Sequence, residues 1–265
     1  MPKGKPTQKE MIEFFEELRK DSYVISKSND LIQKTRYKLP LQQQRIILYG
    51  ISMIKPEDTE LKDLTFDIKD FCDTCRITYN GNNFRHLRKA VEDLAKQVFW
   101  IDDENGNSVL CHWISNVIIP KGDTKITIRF DEYLKPHLIQ LKERFTALEK
   151  CMIRMKSSHS ARLYEILRSY KNLRVVRLSI DEIKKSMYIE NEYNEYKYFK
   201  RDIIDKSIKE INELTSLYIE YEEIKQYRKT TEIVFTIKHF TENPKFQENP
   251  FEEAKKYIPD KYKEE

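Results

Sequence analysis

The sequence predicts an α+β protein with two tandem winged-helix domains, a variant of the helix-turn-helix, joined by a linker helix. The main observation is that three helical patterns followed by two strand patterns occur twice along the chain. A length of 265 residues is compatible with one large or two smaller domains, because single cores usually stop growing near ~250 residues. The repeated order of elements favours two.

The composition is that of a folded protein with a mixed surface. Hydrophobic residues make up 39% and aromatic residues 12%, so the 35% of charged residues indicate a globular surface rather than disorder. The net charge is only +4, so attraction for nucleic acid depends on how the charges are arranged. The longest apolar stretch, residues 46–51, is far shorter than the ~18 residues of a membrane span, and the N-terminus has no apolar signal region. We therefore expect a cytoplasmic protein without a membrane partner.

Cys72 and Cys75 form a C-x-x-C pair, which raises the question of a metal site. Zinc needs four ligands, and the remaining cysteines and histidines contain no second pair at ligand spacing. Ile68, Phe71 and the two cysteines follow helical spacing, which places both thiols on the apolar face of one helix. We therefore expect buried free thiols and no metal or other cofactor.

The chain begins with an amphipathic pattern in residues 9–20, which predicts a helix that packs against the next segment of the chain or serves as a contact arm. Residues 1–20 are assigned to this arm, and the first winged-helix domain is predicted in residues 21–130. Its first core helix is the apolar segment 41–52, which ends before Pro56.

Capping residues mark the second and third helices of this domain. Asp67 offers an N-cap for the helix that carries the two cysteines. Asn82 and Asn83 can cap a third helix in residues 84–97, with an apolar stripe on one face and basic side chains on the other.

A hairpin is predicted after the third helix. Residues 98–101 and 108–119 have strand patterns, and Asn105-Gly106 between them tolerates the positive φ angles of a tight turn. A further strand is predicted in residues 125–130. Three helices followed by an antiparallel hairpin is the order of a winged helix, whose third helix can enter the major groove.

Residues 131–156 are predicted to form the linker helix. Apolar residues from Leu134 to Met155 alternate spacings of four and three, as in a heptad seam. A helix packed on its own protein is favoured over a dimer contact, because Pro136 interrupts its start and the seam is short.

The second winged-helix domain is predicted in residues 157–240, before a tail in residues 241–265. Ser157 and Ser158 can cap a helix, and a capping box from Ser179 to Glu182 opens another. The remaining predicted elements are a strand at 173–178, a long third helix at 195–214, and strands at 217–223 and 230–237 joined by residues 224–229.

Three sequence blocks resemble one family. The segment from Lys27 to Leu48 is similar to the opening of the iteron-binding plasmid replication initiators. The block Ser157-Ser158-His159-Ser160-Ala161-Arg162-Leu163-Tyr164-Glu165-Ile166-Leu167 looks like their S-x-x-S-x-R-L-Y-E-x-L helix, and residues 198–212 resemble their C-terminal recognition helix. The sequence departs from the family at Gln43, where many members carry an acid, and at Tyr227, where a glycine often precedes the wing arginine.

The resemblance implies a two-domain winged-helix protein that binds repeated origin DNA as a monomer and whose dimers often repress the initiator gene. Expected partners are double-stranded origin DNA, host replication proteins such as a helicase or initiator, and a second copy of the chain. The first domain is expected to combine dimerisation with DNA contact, and the second to supply the main origin recognition.

Basic residues on exposed helix faces are the candidates for DNA contact, because lysine and arginine bind phosphates and arginine pairs with guanine edges. Arg201 is the first choice for a base contact, and Arg162 is a phosphate candidate placed by the signature block. For any single position an ordinary solvated charge is an equal alternative, and Lys206 or Lys209 could instead pair with nearby acids. The other candidates are Lys197, Lys200, Lys206, Lys209, Arg85, Arg88, Lys89, Lys225, Arg228 and Lys229.

Function classes other than an initiator are weighed on the same residues. No histidine pair close in sequence can bind the metal of a rolling-circle nuclease, and no G-x-x-x-x-G-K-[ST] loop indicates an ATP-driven helicase, so we expect no catalysis. A tandem winged-helix transcriptional regulator needs the same DNA-reading surface, and only the family resemblance favours the initiator. An interaction scaffold would leave the basic third-helix faces without a purpose.

Overall fold

The computed structural model describes residues 23–239, apart from positions 56, 104, 140, 142, 143 and 171, together with residue 242. The predicted helix at 9–20 and nearly all of the tail at 241–265 lie outside the described residues. Within the described part of the chain, no helix has the length and apolarity needed to cross a bilayer.

The first domain opens with a strand and a short helix, β1 (Tyr23–Ser28) and α1 (Asn29–Gln33). Its three larger helices are α2 (Leu41–Ile51), α3 (Ile68–Cys75) and α4 (Gly81–Leu94), with β2 (Leu64–Asp67) between the first two.

Two of the predicted helix starts can be compared with the structure. Asp67 caps α3 as predicted, accepting a hydrogen bond from the backbone N–H of Lys69 at 2.7 Å. The third helix starts earlier than predicted, because Asn80 rather than Asn82 or Asn83 is the N-cap, with its side chain accepting from the backbone N–H of Asn83.

The strands after α4 form two small sheets. β3 (Val98–Asp102) and β4 (Ser108–His112) make the predicted hairpin, and Gly106 has a positive φ of 80° in its turn. β5 (Ile114–Ile118) and β6 (Lys125–Phe130) then join β2 in the order β2-β6-β5. The predicted strand 108–119 is therefore two strands, which meet at the buried Trp113.

The predicted linker helix at 131–156 is wrong. A 3₁₀ turn and α5 (Lys135–Leu138) are followed by β7 (Phe145–Glu149), which pairs antiparallel with β1, and by a second 3₁₀ turn. Arg144 has a left-handed φ of 52°, which a continuous helix does not contain. Most of the described leucines and methionines of the heptad-like pattern are nevertheless buried. The spacing therefore indicated buried positions correctly but not a helix.

The second domain has the winged-helix order throughout. Its first elements are α6 (Ser158–Ser169), β8 (Val175–Ser179) and α7 (Ile180–Ser186). The predicted Ser157 cap starts α6, and the predicted Ser179–Glu182 capping box starts α7. A long third helix comes next and contains one π-helical turn. Its three segments are α8 (Tyr196–Phe199), the π turn (Lys200–Asp205) and α9 (Lys206–Leu214).

The domain ends in a long hairpin, β9 (Leu217–Gln226) and β10 (Lys229–His239), in a sheet with the order β8-β10-β9. The predicted six-residue connection at 224–229 is wrong, because the strands continue to Gln226 and resume at Lys229, which leaves two residues in the turn.

One hydrophobic core cluster runs through both domains. Cys72 and Cys75 lie in it as free, buried thiols, as predicted, and burial raises the pKa of Cys75 to about 12. Among the described residues, no group of three or more histidine, cysteine or acidic side chains could hold a metal ion.

Candidate nucleic-acid interface

The third helix of the second domain, residues 196–214, presents two different faces. Phe199, Ile203, Ile204, Ser207 and Ile211 are fully buried. Packing of this face holds the helix against the domain and leaves its polar face in solvent. The exposed cations on that face are Lys197, Arg201, Lys206 and Lys209.

Arg201 lies on the exposed face with its side chain 63% accessible. Its guanidinium donates to both carboxylate oxygens of Asp202, at 2.9 and 2.7 Å, and Lys206 reaches the same carboxylate at 2.8 Å. Hydrogen bonds from these two cations lower the pKa of Asp202 far below its ordinary value. Asp202 therefore holds Arg201 in place in the free protein and competes with any anion that approaches it.

Tyr198 is a candidate that the pattern of basic residues did not indicate. The centroid of its half-exposed ring lies 4.6 Å from Nζ of Lys197 and 5.2 Å from Cζ of Arg201, within cation–π distance of both. A tyrosine directly after a lysine on the predicted exposed face was the available signal. Such a ring can stiffen both side chains and can contact a thymine methyl group.

In the free protein, the Lys200 ammonium group is paired within the protein and joins the third helix to the wing. It forms an ion pair with Glu223 of β9, and its Nζ lies 5.7 Å from the ring of Tyr221. The hydrogen bond with Glu223 raises the pKa of Lys200 above its ordinary value. The Tyr221 hydroxyl also donates to Asp205, so the third helix and the wing are fastened together at two points.

The wing tip is a turn of Tyr227 and Arg228 between β9 and β10. Tyr227 has a φ of 59° and is 97% exposed, so it takes the left-handed conformation that glycine adopts most easily. Lys225, Arg228 and Lys229 are exposed around it, and none has an ion-pair partner within the described part of the chain.

The third helix of the first domain offers a smaller basic face. Arg85 and Lys89 are exposed and Arg88 is partly buried, with its guanidinium 6.0 Å from the Phe84 ring. Lys89 pairs with Asp93 one turn later at 2.7 Å. Arg85 is therefore the cation of this helix that is least engaged by the protein itself.

Arg162 is the one candidate that the structure contradicts. Its side chain is only 3% exposed, and its guanidinium is saturated by carbonyl, hydroxyl and carboxylate oxygens of the protein. A buried, fully bonded guanidinium cannot reach a phosphate. The signature block marks a structural arginine here.

Two winged helices, each with basic side chains on the exposed face of its third helix, define a tandem winged-helix DNA-binding protein. The family described as Initiator Replication protein, WH1, matches residues 24–168, and the family described as Initiator Rep protein, WH2, matches residues 179–237. The chain belongs to this family of replication initiators.

Two curated relatives come from Escherichia coli. The PI protein is 28% identical over 109 residues, which are 35% of this chain and 36% of that protein. A replication initiation protein is 23% identical over 225 residues, which are 81% of this chain and 69% of the relative. The chain therefore aligns with little more than a third of the PI protein.

Solved structures share the fold. A crystal structure of the Pi initiator protein in complex with iteron DNA has a TM-score of 0.69 at 18% identity, covering 82% of this chain and 97% of that chain. A structure of domains 2 and 3 of RctB has a TM-score of 0.51 at 12% identity, covering 75% of this chain and 80% of that chain.

Proposed function

We propose that the protein initiates plasmid replication by binding repeated origin sequences through both of its winged helices. The observation that carries this proposal is that the third helix and the wing of the second domain both present exposed cations. The Lys200–Glu223 and Tyr221–Asp205 contacts join this helix to the wing. The solved Pi relative, which is in complex with iteron DNA, supports the same ligand. In the proposed complex, Arg201 contacts base edges while the wing cations contact phosphates.

The finer parts of the proposal concern what happens at the origin. The bound protein recruits host replication proteins such as a helicase or host initiator, and acts without catalysis of its own. Its site of action is the cytoplasm, where plasmid DNA is replicated. The predicted domain limits of 21–130 and 157–240 stay predictions. The individual DNA contacts also stay predictions, apart from that of Arg162, which its burial rules out. The alternative, a transcriptional regulator without a replication role, has the same DNA surface but lacks the support of the family match.

Salt dependence tests the DNA surface directly. Replacing Lys225, Arg228 and Lys229 together with glutamine should reduce the slope of log affinity against log salt by about 3, because each phosphate contact contributes roughly 1 to that slope. The measurement is fluorescence anisotropy with duplexes that carry short direct repeats from beside the gene, at several salt concentrations.

A matched control is the glutamine variant of three lysines that already form ion pairs, Lys34, Lys62 and Lys135. This variant should keep the parental slope. Equal slopes for the wing variant and the parent would contradict the wing contacts. Equal affinity of the parent for repeat and scrambled duplexes would contradict the function itself.

Self-association is the second part of the proposed function, and the β3–β4 hairpin is the surface we assign to it. Trp100 and Leu110 lie opposite each other in the register, 60% and 50% exposed, and Val98 beside them is 46% exposed. The sheet has two strands, so both of its outer edges are unpaired among the described residues. An apolar face with open edges is a ready template for the same strand of a second copy.

Replacing Trp100 with glutamate should therefore weaken any dimer by at least about 30-fold, because it removes buried apolar area and introduces a charge into the interface. Sedimentation velocity over a range of concentrations measures this. Leu173→Glu is the control, since Leu173 is a large apolar residue of similar exposure outside the hairpin. Loss of the dimer in the control, or its persistence in Trp100→Glu, would assign self-association to another surface.

A further inference from the structure

α6 carries a group of charged side chains that are buried at the junction of the two domains. Arg162 and Glu165 on this helix and Lys27 on β1 have side chains between 2% and 5% exposed. α6 lies at the end of the segment that the first family model matches, residues 24–168, and it packs on α1 and β7 as well as on α9 of the third helix. Charges in this position connect the two domains.

Arg162 contacts both domains with one side chain. Its Nη2 donates to the carbonyl oxygens of Ile32 at 2.7 Å and Thr35 at 3.0 Å, in and after α1. Its Nε donates to the carbonyl oxygen of Ser186, at the end of α7, at 3.2 Å. The planar guanidinium offers its donors in a rigid fork, so these three carbonyls are held at fixed positions relative to one another.

The surrounding groups restrict this geometry further. Glu165 accepts from Lys27 at 2.6 Å, from Tyr37 at 3.0 Å and from Arg162 at 3.1 Å. Burial alone would raise the pKa of Glu165, but the two cations outweigh burial and lower it, so the carboxylate stays charged. Buried charges are tolerated only when their hydrogen bonds are satisfied, so a shifted domain arrangement would leave charges unpaired.

A second buried contact joins the domains nearby. Glu149 at the end of β7 accepts from the backbone N–H of Ser216 at 3.0 Å, just before β9, and from the Tyr164 hydroxyl of α6 at 3.2 Å. The wing strand is thereby tied to the first domain.

We propose that Arg162 is a positioning residue that fixes the separation of the two DNA-reading helices, and so sets the spacing between the two parts of the DNA site that the protein accepts. The inference rests on the proposed function, since it requires both domains to read one duplex. One base pair changes the separation of two contacted grooves by ~3.4 Å and rotates one against the other, so a rigid pair of domains discriminates between spacings.

The test uses the full chain and a duplex selected by the parent protein from a random pool, with its two contacted grooves located by footprinting. Affinity is then measured for duplexes with one or two base pairs inserted or deleted between those grooves. The parent should lose at least about tenfold for one base pair. Arg162→Met, which leaves Lys27 and Glu165 as a balanced pair, should bind the selected duplex about tenfold more weakly and lose less than about threefold for the same change.

Arg177→Met is the matched control, because Arg177 is an exposed arginine of the second domain that pairs with Glu232. It should keep the parental spacing preference. If Arg162→Met does not fold, as judged by its thermal unfolding curve, Arg162→Lys keeps the charge and loses the fork, and should show the same relaxed preference. A folded Arg162 variant with the parental preference would overturn this inference alone. A parent without any spacing preference would overturn the proposed two-domain reading, and the inference with it.

Discussion

Replacing Glu165 with glutamine should lower the free energy of unfolding by about 3–5 kcal/mol. The change leaves Lys27 and Arg162 as buried cations without a carboxylate, and breaking one side of a buried ion pair has an effect of roughly this size. Urea unfolding followed by circular dichroism measures the change. Glu192→Gln is the control, since it removes an exposed ion pair with Lys38 and should change stability by less than about 1 kcal/mol. Similar values for the two variants would show that the buried network contributes little to stability.

The same residue gives the parent protein a pH dependence. The pKa of Glu165 is lower in the folded protein than its ordinary value of 4.5. Its contribution to stability is therefore complete above pH 4.5 and is lost as the pH falls through the lower, folded-state pKa. The unfolding free energy of Glu165→Gln should decrease less steeply than that of the parent over this acidic range.

Replacing Arg201 with alanine should reduce affinity for the specific site by about 1–3 kcal/mol and relax the base preference at one position. The guanidinium is exposed, and the expected loss is net of releasing it from Asp202, which holds it by two hydrogen bonds in the free protein. Competition binding with the selected duplex and with duplexes that carry single base changes measures both effects.

Arg129→Ala serves as the control for this experiment, because Arg129 is an exposed arginine that pairs with Asp63 in the first domain. It should retain the affinity and the base preference of the parent. If Arg201→Ala binds every duplex as the parent does, base recognition belongs to other side chains of the helix, with Tyr198 the first to consider.

Local signals in the sequence predicted the elements that local chemistry determines. The caps at Asp67, Ser157 and Ser179 act within a few residues, and all three are present in the structure. Gly106 takes the expected positive φ, but Asn105 does not, because the strands stop at Asp102 and resume at Ser108 and leave a longer loop than the predicted tight turn. Asn80, Asn82 and Asn83 are all suitable N-caps for α4, and the sequence did not show that Asn80 is the one used.

Long-range contacts explain the errors. β7 is a strand because β1, more than a hundred residues earlier, pairs with it, and apolar spacing alone cannot show that partner. Arg162 is wrongly predicted to contact phosphate because a sequence shows a charge but not its burial. The pairing of Lys200 with Glu223 could not be predicted either, since it depends on how the wing folds back on the third helix.

The π turn from Lys200 to Asp205 has a consequence for comparing initiators. A π turn holds about one more residue than the α-helical turn it replaces, and such turns occur frequently at functional sites. The buried side keeps one face across it, since Phe199 and Ile203 line up with Ser207 and Ile211. A relative whose recognition helix is regular throughout would need a one-residue gap within Lys200–Asp205 before its side chains could be matched to those of this chain.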